Sequence, residues 1–159
     1  MVNRWMMGDN IQGLETLEAW KKARTLVLVV YREVLPLLPA EEKWHLNQQI
    51  RRSAQSVFAN IAEEHGRFYY QENIRFCYIA RGSLTETYTH LVLAHDMRYI
   101  PNDLFDHLKS QIDELIRIIN GYIAYLKRSK RGENEPGAKH FIQEPQSNYF
   151  TEDPTDQTF

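Results

Sequence analysis

Apolar residues recur every three or four positions in four successive segments of this chain, and no segment of any length shows the alternation typical of a β-strand. The pattern predicts helices at about residues 14–35, 40–65 and 70–97, and a fourth whose apolar series runs from Leu104 to Leu126. Pro36, Pro39 and Gly66 end the first two helices. Because the links are short, we predict an all-α fold, an antiparallel up-down-up-down four-helix bundle spanning residues 14–129.

The two ends of the chain lack this periodicity. Residues 1–13 contain turn formers such as Gly8 and Asn10, so we predict an N-terminal lead-in. Residues 130–159 combine glycines and prolines with six acidic and three basic residues, which indicates an extended or disordered acidic C-terminal tail. The apolar residues of the tail, among them Phe141 and Tyr149, could dock on the bundle or on a partner, or the tail could be an unstructured end.

The second predicted helix contains unusually few large apolar residues between Gln49 and Arg67. Small residues such as Ser53 and Ala54 allow a neighbouring helix to approach closely, and we expect Asn60 to make a buried hydrogen bond to that neighbour. In the third predicted helix, we expect Gly82 and Ser83 at a helix crossing, because close contact would offset the cost of a glycine inside a helix.

Composition points to one soluble domain. A chain of 159 residues that is 43% hydrophobic can bury a core, and it has no apolar run of the ~18 residues that a membrane span needs. The N-terminus has no signal-peptide pattern and Cys77 is the single cysteine, which together favour the cytoplasm. The net charge is −2, and without its acidic tail the chain is nearly neutral, so no overall charge attracts nucleic acid.

The sequence contains no recognisable catalytic, cofactor or metal pattern. Di-iron bundles need a Glu-x-x-His pair on each of two helices, and the sequence does not contain two such pairs. Glu86 with His90 supplies only two ligands, so a surface or interhelix hydrogen bond is the simpler interpretation. No base that would activate Cys77 lies near it in the sequence, and there is no phosphate-binding loop or nucleophile elbow. We therefore expect a non-enzymatic protein without cofactor or metal.

Basic residues cluster on or beside the second and third predicted helices. Two interpretations remain open: bonds between helices or between subunits, such as Glu72 to Arg75 at i and i+3, or contacts with a phosphate backbone. A ring of subunits would multiply a small basic patch into a broad one. The candidate nucleic-acid or subunit contacts are Lys43, Arg51, Arg52, Arg67, Arg75 and Arg81, with Arg98 beside them.

Three segments in this order resemble the bacterial four-helix-bundle proteins encoded by intervening sequences within 23S rRNA genes: LEAWKKA from Leu17, QIRRSAQSVFANIAEEHGR from Gln49, and IARGSLTE from Ile79. The resemblance covers about residues 14–128. The chain departs from the common pattern at Phe58, where members usually have Pro, and at Glu64, where they usually have Gly. Without that Pro and Gly, we expect the second helix to be straighter.

The resemblance implies a ring-like homopentamer with no established enzymatic activity. We therefore favour a non-enzymatic oligomeric scaffold or adaptor, in which apolar residues such as Trp20, Tyr31 or Tyr122 lie outside the monomer core and between subunits. A related group, the accessory variability determinants of diversity-generating retroelements, forms similar barrels that bind a reverse transcriptase and nucleic acid. The alternative is thus a reverse-transcriptase accessory that binds RNA or DNA, and a weaker third possibility is a module regulated through its acidic tail.

Overall fold

The computed structural model describes residues 11–66 and 69–129, without the side chain of Tyr70. These residues form an all-α bundle and contain no strand. α2 packs against α3 and α5, and α4 packs against the same two helices, so successive helices are neighbours around the bundle. The predicted fold class is confirmed. The helices are α1 (Ile11–Thr16), α2 (Glu18–Val29), α3 (Leu46–His65), α4 (Tyr70–Asp96) and α5 (Asn102–Ser129).

The core follows the predicted apolar stripes. In α5 the buried side chains recur at intervals of three and four residues, from Leu108 through Leu115 to Leu126. Leu26 of α2, Ile50 of α3 and other apolar side chains complete the same cluster. Each such side chain contributes roughly 1.5–3 kcal/mol when it leaves water, which explains why the spacing alone predicted these helices.

The prediction of one continuous helix over residues 14–35 is wrong. Leu17 has an extended backbone, with φ −65° and ψ 124°, and separates α1 from α2. After α2 the chain makes a π-helical turn over Val30–Val34 and a 3₁₀ turn over Leu35–Leu37. Pro36 explains this change, because it has no N–H and its ring would clash with the carbonyl four residues earlier in an α-helix. α1 also begins inside the predicted lead-in, whose residues 1–10 lie outside the described part.

The prediction that an α-helix begins near residue 40 is also wrong. Ala40–Trp44 form a 3₁₀ helix, and His45, with φ −119° and ψ −103°, separates it from α3. Glu42 Oε2 accepts a hydrogen bond from the N–H of Leu46 at 3.2 Å, so this carboxylate caps the first turn of α3. α3 then continues without interruption to His65.

A tight turn joins α4 to α5. Arg98 adopts φ 60°, and its N–H bonds to the carbonyl of His95, while the N–H of Tyr99 bonds to the carbonyl of Ala94. These bonds satisfy carbonyls at the end of α4. None of the helices in the described part of the chain combines the length and apolarity needed to cross a membrane. The predicted tail, residues 130–159, lies outside the described residues.

Candidate functional site

A polar network joins α3 to α4 at the middle of their seam. The hydroxyl oxygens of Ser56 and Ser83 lie 2.8 Å apart and bond the two helices directly. Asn60 Nδ2 donates to the carbonyl oxygen of Ser56 at 2.7 Å and to its Oγ at 3.1 Å. The interhelix bond expected of Asn60 is therefore made by Ser56, and the half-buried Asn60 supports it from within α3.

Gly82 does not lie at a helix crossing within the chain. It is exposed, and a Cβ added to it would meet nothing within 4 Å. The prediction of a crossing holds only for Ser83, which is buried and bonded to Ser56. Gly82 thus has no packing role inside the described part of the chain.

Three large apolar side chains are exposed on the outer side of α4 and its C-cap, and we call Ile79, Gly82, Leu93 and Met97 the outer face of α4. The exposed Glu86 lies on the same side, between Gly82 and Leu93. These residues share one side of the helix because their spacings are close to multiples of 3.6. Ile79 is 40% exposed, Leu93 50% and Met97 52%. A helix with a buried inner face thus also presents large apolar side chains outward.

The residues expected outside the monomer core are instead partly packed against it. Trp20 lies 5.2 Å from Phe58 between ring centroids, and Tyr31 accepts a hydrogen bond from Gln55. Tyr122 also packs against the core cluster. Trp20, Tyr31 and Tyr122 are thus half-buried beside the core, and their place between subunits stays a prediction. Large exposed apolar side chains lie on the outer face of α4 and also at Ile11, Leu37, Trp44 and Tyr125.

The structure separates the predicted basic residues into two groups. Ser56 and Ser83 mark the same level of the bundle; Arg51 lies five residues before Ser56 and Arg75 eight before Ser83. Because α3 and α4 are antiparallel, Arg51 and Arg75 are about 20 Å apart along the bundle axis. Lys43, Arg51 and Arg52 form one group, Arg75 and Arg81 the other, and Arg67 lies outside the described residues.

In the first group, two cations rest on aromatic rings. Arg51 Cζ lies 4.6 Å from the centroid of the Tyr31 ring, and its Nη2 donates to Asn47 Oδ1 at 3.5 Å. Lys43 Nζ lies 4.9 Å from the ring centroid of the exposed Trp44. Arg52 is exposed. These cation–π contacts hold the side chains of Arg51 and Lys43 on the rings but do not neutralise their positive charge.

In the second group, two cations share one aromatic ring. Arg81 Cζ lies 5.0 Å from the centroid of the Tyr78 ring and Lys127 Nζ lies 5.7 Å from it. Arg81 Nη1 also donates to Asn120 Oδ1 at 2.9 Å, so Arg81 bonds α4 to α5. We call Tyr78, Arg81, Asn120 and Lys127 the Tyr78 cluster.

The ion pair expected between Glu72 and Arg75 is not formed. Among the residues that the structure describes, the ion pairs involve Lys22, His90 and His95, and none involves Arg75 or Arg81. Glu86 contacts His90 instead, with 3.7 Å between Oε1 and Nε2. The expected bonding between helices is present for Arg81, with an amide oxygen in place of a carboxylate.

The two helix segments that carry the Tyr78 cluster contain basic residues but no acidic ones. Residues 73–85 of α4 and 115–129 of α5 contain no Asp or Glu, although the whole chain is slightly acidic. The sequence analysis placed the candidates on or beside the second and third helices and did not include Lys127 among them. The cationic residues of these two segments are Arg75, Arg81, Arg117, Lys127 and Arg128.

A second cluster is buried where α3 ends. Glu64 is 5% exposed, and it accepts a hydrogen bond from the hydroxyl of Tyr122 on α5. Burial raises the pKa of Glu64 to about 7, and the hydrogen bond from Tyr122 only partly opposes this rise. Glu64 thus titrates near neutral pH, far above an ordinary carboxyl.

Cys77 and Asn73 line the same cluster from α4. Burial, helped by the negative charge of Glu64, raises the pKa of Cys77 to about 12, so this thiol is not an activated nucleophile. Asn73 is 4% exposed, and its Oδ1 has no hydrogen-bond partner in the described part of the chain. No group of three or more His, Cys, Asp or Glu residues within residues 11–66 and 69–129 has the arrangement to hold a metal ion. We call Glu64, Asn73, Cys77 and Tyr122 the Glu64 cluster.

Comparisons with known proteins agree with the fold. The sequence model of the 23S rRNA-intervening sequence protein family matches residues 15–121. A solved structure from Bacteroides thetaiotaomicron, described as a protein of unknown function from the S23 ribosomal protein family, superposes with a TM-score of 0.61. It is 23% identical and covers 66% of this chain and 97% of its own, so it supports the fold alone. A search of the curated proteins found no match.

Proposed function

The chain belongs to the 23S rRNA-intervening sequence protein family, and on that premise we propose that it is a non-catalytic scaffold or adaptor protein that acts in the cytoplasm as a ring-shaped homopentamer. The observation that supports this proposal is the outer face of α4. Single exposed apolar residues are normal on a protein surface, but three large ones aligned on one helix are typical of a face that another helix covers.

The inner face of α4 already packs against the bundle through buried residues such as Leu84 and Leu91. Large apolar side chains on the outer side of such a helix fit a bundle helix that contacts a second copy. Gly82 supports the same conclusion, since a glycine inside a helix costs about 1 kcal/mol relative to alanine and nothing in the described part of the chain requires it there. A backbone from a second copy could approach closely at this position.

Fivefold closure requires that the outer face of α4 meets a different surface on the next copy. Head-to-tail contacts of this kind form rings when the rotation closes. We infer five subunits from the resemblance of the sequence to pentameric bundles. We infer the contact surface from the exposure of Ile79, Leu93 and Met97.

Light scattering coupled to size-exclusion chromatography tests this proposal. A monomer has a mass of 18.9 kDa, so a pentamer would have about 95 kDa. We expect Leu93→Glu to yield monomers, because a charge would be desolvated in the contact. Ser110→Glu, on the exposed side of α5, is the matched control and should remain pentameric. A wild-type monomer, or a Leu93→Glu pentamer, would refute the proposed role of this face.

Gly82→Ala separates monomer stability from assembly. Alanine should stabilise α4 by up to about 1 kcal/mol, because it has free space and better helix propensity. In the assembly the added methyl group should weaken the close approach and raise the dissociation constant. We expect a higher Tm in dilute, monomeric samples together with weaker assembly. A higher Tm together with tighter assembly would show that Gly82 lies outside the contact.

The Tyr78 cluster favours a second candidate function, a reverse-transcriptase accessory that binds RNA or DNA. Two cations beside the ring of the half-buried Tyr78, in segments that contain no acidic residue, suit a phosphate backbone. A pentamer would present this cluster five times, which compensates for the small charge of each copy.

Fluorescence anisotropy with a labelled oligo-U RNA and the corresponding DNA tests this candidate. Lys127→Ala should weaken binding and lower the slope of log K against log salt by roughly one for each phosphate contact removed. Arg52→Ala, on the other group of basic residues, is the matched control and should leave both quantities unchanged. Absence of affinity at about 50 mM NaCl, a concentration that favours charge-driven binding, would rule the candidate out. A pull-down with nuclease treatment then separates a protein partner from a nucleic-acid partner.

A further inference from the structure

One exposed side of the C-terminal half of α5 carries cations and an aromatic ring. Its four residues are all exposed and follow one another at intervals of three or four, so they lie on the same side of the helix. Lys127, which contacts the Tyr78 ring, lies next to this side. The ring on this side belongs to Tyr125, which is 56% exposed. We call the following set the basic side of α5: Arg117, Gly121, Tyr125 and Arg128.

The arginines of this side have no carboxylate partner in the described part of the chain. Within residues 11–66 and 69–129, no ion pair involves Arg117 or Arg128. Glu114, one turn before Arg117, pairs instead with Lys22, with 2.9 Å between Oε1 and Nζ. After Glu114, α5 contains no further acidic residue. Because several cations attract a negative group together, the basic side of α5 favours an acidic ligand.

The part of the chain that follows α5 has the complementary composition. Residues 144–156 contain four carboxylates and no basic residue, and the aromatic residues Tyr149 and Phe150 lie among the carboxylates. A carboxylate pairs with arginine through two parallel hydrogen bonds, and an aromatic ring can pack on a second ring or under a guanidinium. The segment therefore matches the basic side of α5 in charge and in aromatic character. Its carboxylates belong to Glu144, Glu152, Asp153 and Asp156.

The point of attachment and the length of this segment allow it to reach the basic side of its own subunit. α5 ends at Ser129, one residue after Arg128. From Arg117 to Arg128 the basic side is about 17 Å long, at 1.5 Å per residue. The chain from Ser129 to Glu144 can span up to about 50 Å, so it is long enough to turn back along α5.

We propose that residues 144–156 dock on the basic side of α5 of the same subunit, with carboxylates on Arg117 and Arg128 and the aromatic pair beside Tyr125. A Cβ added to Gly121 would meet nothing within 4 Å, so a second segment has room to approach α5 there. The docked segment also covers Lys127 and competes with a phosphate backbone for the Tyr78 cluster. This competition rests on the nucleic-acid candidate proposed above, whereas the docking does not.

Carbodiimide cross-linking of the full-length protein tests the docking. This reagent joins a carboxylate to a lysine amine that touches it, and mass spectrometry of the peptides identifies the pair. We expect Lys127 to be joined to carboxylates of residues 144–156 of the same chain, which a mixture of unlabelled and isotope-labelled protein distinguishes from a neighbouring chain. Lys109, an exposed lysine about two turns before Arg117, is the internal control and should not be joined to the segment.

Replacement of both arginines separates docking from mere attachment. A segment that is attached but not docked would meet Lys127 equally often with or without the arginines. We expect Arg117→Ala together with Arg128→Ala to lower the yield at Lys127 about threefold or more, because two charge pairs are lost. Arg32→Ala together with Arg52→Ala removes the same charge from exposed positions outside α5 and should leave the yield unchanged.

Fluorescence anisotropy with labelled oligo-U RNA tests the competition in a full-length variant whose segment 144–156 is uncharged. A tethered competitor acts at an effective concentration near the millimolar range, so this variant should bind RNA about tenfold more tightly than a control of equal net charge at about 50 mM NaCl. The difference should disappear at about 0.5 M NaCl, where the attraction is screened. The variant carries Glu144→Gln, Glu152→Gln, Asp153→Asn and Asp156→Asn, and the control carries Glu33→Gln, Glu41→Gln, Asp103→Asn and Asp106→Asn at exposed positions.

The two experiments distinguish the docking from the nucleic-acid candidate. Docking is refuted if Lys109 is joined to the segment as readily as Lys127, or if the loss of Arg117 and Arg128 leaves the yield unchanged. Cross-links that depend on both arginines support docking even if no form of the protein binds RNA, and that result would remove only the nucleic-acid candidate and the competition. Equal RNA affinity of the uncharged-segment variant and its control would refute the competition.

Discussion

Two polar regions of the same α3–α4 pair behave in opposite ways. At the middle of the pair, Ser56, Asn60 and Ser83 bond one another, and their hydrogen bonds join the two helices. Eight residues after Ser56, at the end of α3, Glu64 has no cationic partner and Asn73 Oδ1 has no hydrogen-bond partner within the described residues. Both regions are buried or half-buried, so the difference lies in pairing and not in depth.

Whether a buried polar group stabilises or destabilises a bundle depends on whether it has a hydrogen-bond partner. A satisfied hydrogen bond contributes about 0.5–1.5 kcal/mol, whereas a buried group without a partner costs about 1–3 kcal/mol. The middle network therefore specifies which residues of α3 and α4 face each other. Burial of the Glu64 carboxyl is instead unfavourable when the carboxyl is ionised, so the free energy of this region depends on the pH.

The largest expected effect is the pH dependence of global stability. Because burial raises the pKa of Glu64 from 4.5 to about 7, the folded state binds more protons than the unfolded state in this interval, so stability falls as the pH rises through it. Between pH 5 and pH 8 the loss should be about 2.5 kcal/mol, measured by urea unfolding. Glu64→Gln should remove most of this slope, and an unchanged slope in that variant would show that other groups cause it.

Two asparagines should respond with opposite signs to the same substitution. Asn73→Leu removes a buried oxygen without a partner and should stabilise the protein by about 1 kcal/mol, while Asn60→Leu breaks two hydrogen bonds and should destabilise it by about the same amount. Thermal unfolding of both variants measures the difference. If both substitutions destabilised, the distinction between a paired and an unpaired region would be lost.

The smallest expected effect is the coupling between Ser56 and Ser83. In a double-mutant cycle with Ser56→Ala and Ser83→Ala, the coupling energy should be about 0.5–1 kcal/mol, because the two hydroxyls bond each other across the helices. A cycle of Ser56→Ala with Thr89→Ala is the control and should be additive, since Thr89 bonds only within α4 to the carbonyl of Thr85. Additivity in both cycles would mean that the Ser56–Ser83 bond contributes nothing specific.

The sequence predicted the four long helices and most of their core. The buried side of an amphipathic helix is marked by apolar residues at intervals of three and four, and these intervals can be read directly from the sequence. It failed near Pro36 and His45, where the chain changes from one kind of helical turn to another within a few residues. The sequence analysis also placed Gly82 at a helix crossing, whereas no atom lies within 4 Å of a Cβ added there. Spacing alone does not tell which side of α4 faces the bundle.

For the candidate sites, the sequence identified Arg75 and Arg81 but not their surroundings. Lys127 lies 46 residues after Arg81 in the chain, and only the antiparallel packing of α4 and α5 brings both to the Tyr78 ring. Glu64 was visible as a departure from the glycine usual in similar sequences, yet nothing in its neighbours predicted burial against Tyr122.

The sequence by itself thus determined the all-α bundle and the order of its helices, because both depend on intervals between residues that are close in the chain. Only the tertiary structure decided which groups meet at the Tyr78 and Glu64 clusters. The pKa of Glu64 and the meeting of Arg81 with Lys127 at Tyr78 depend on side chains from different helices, which come together only when the helices pack.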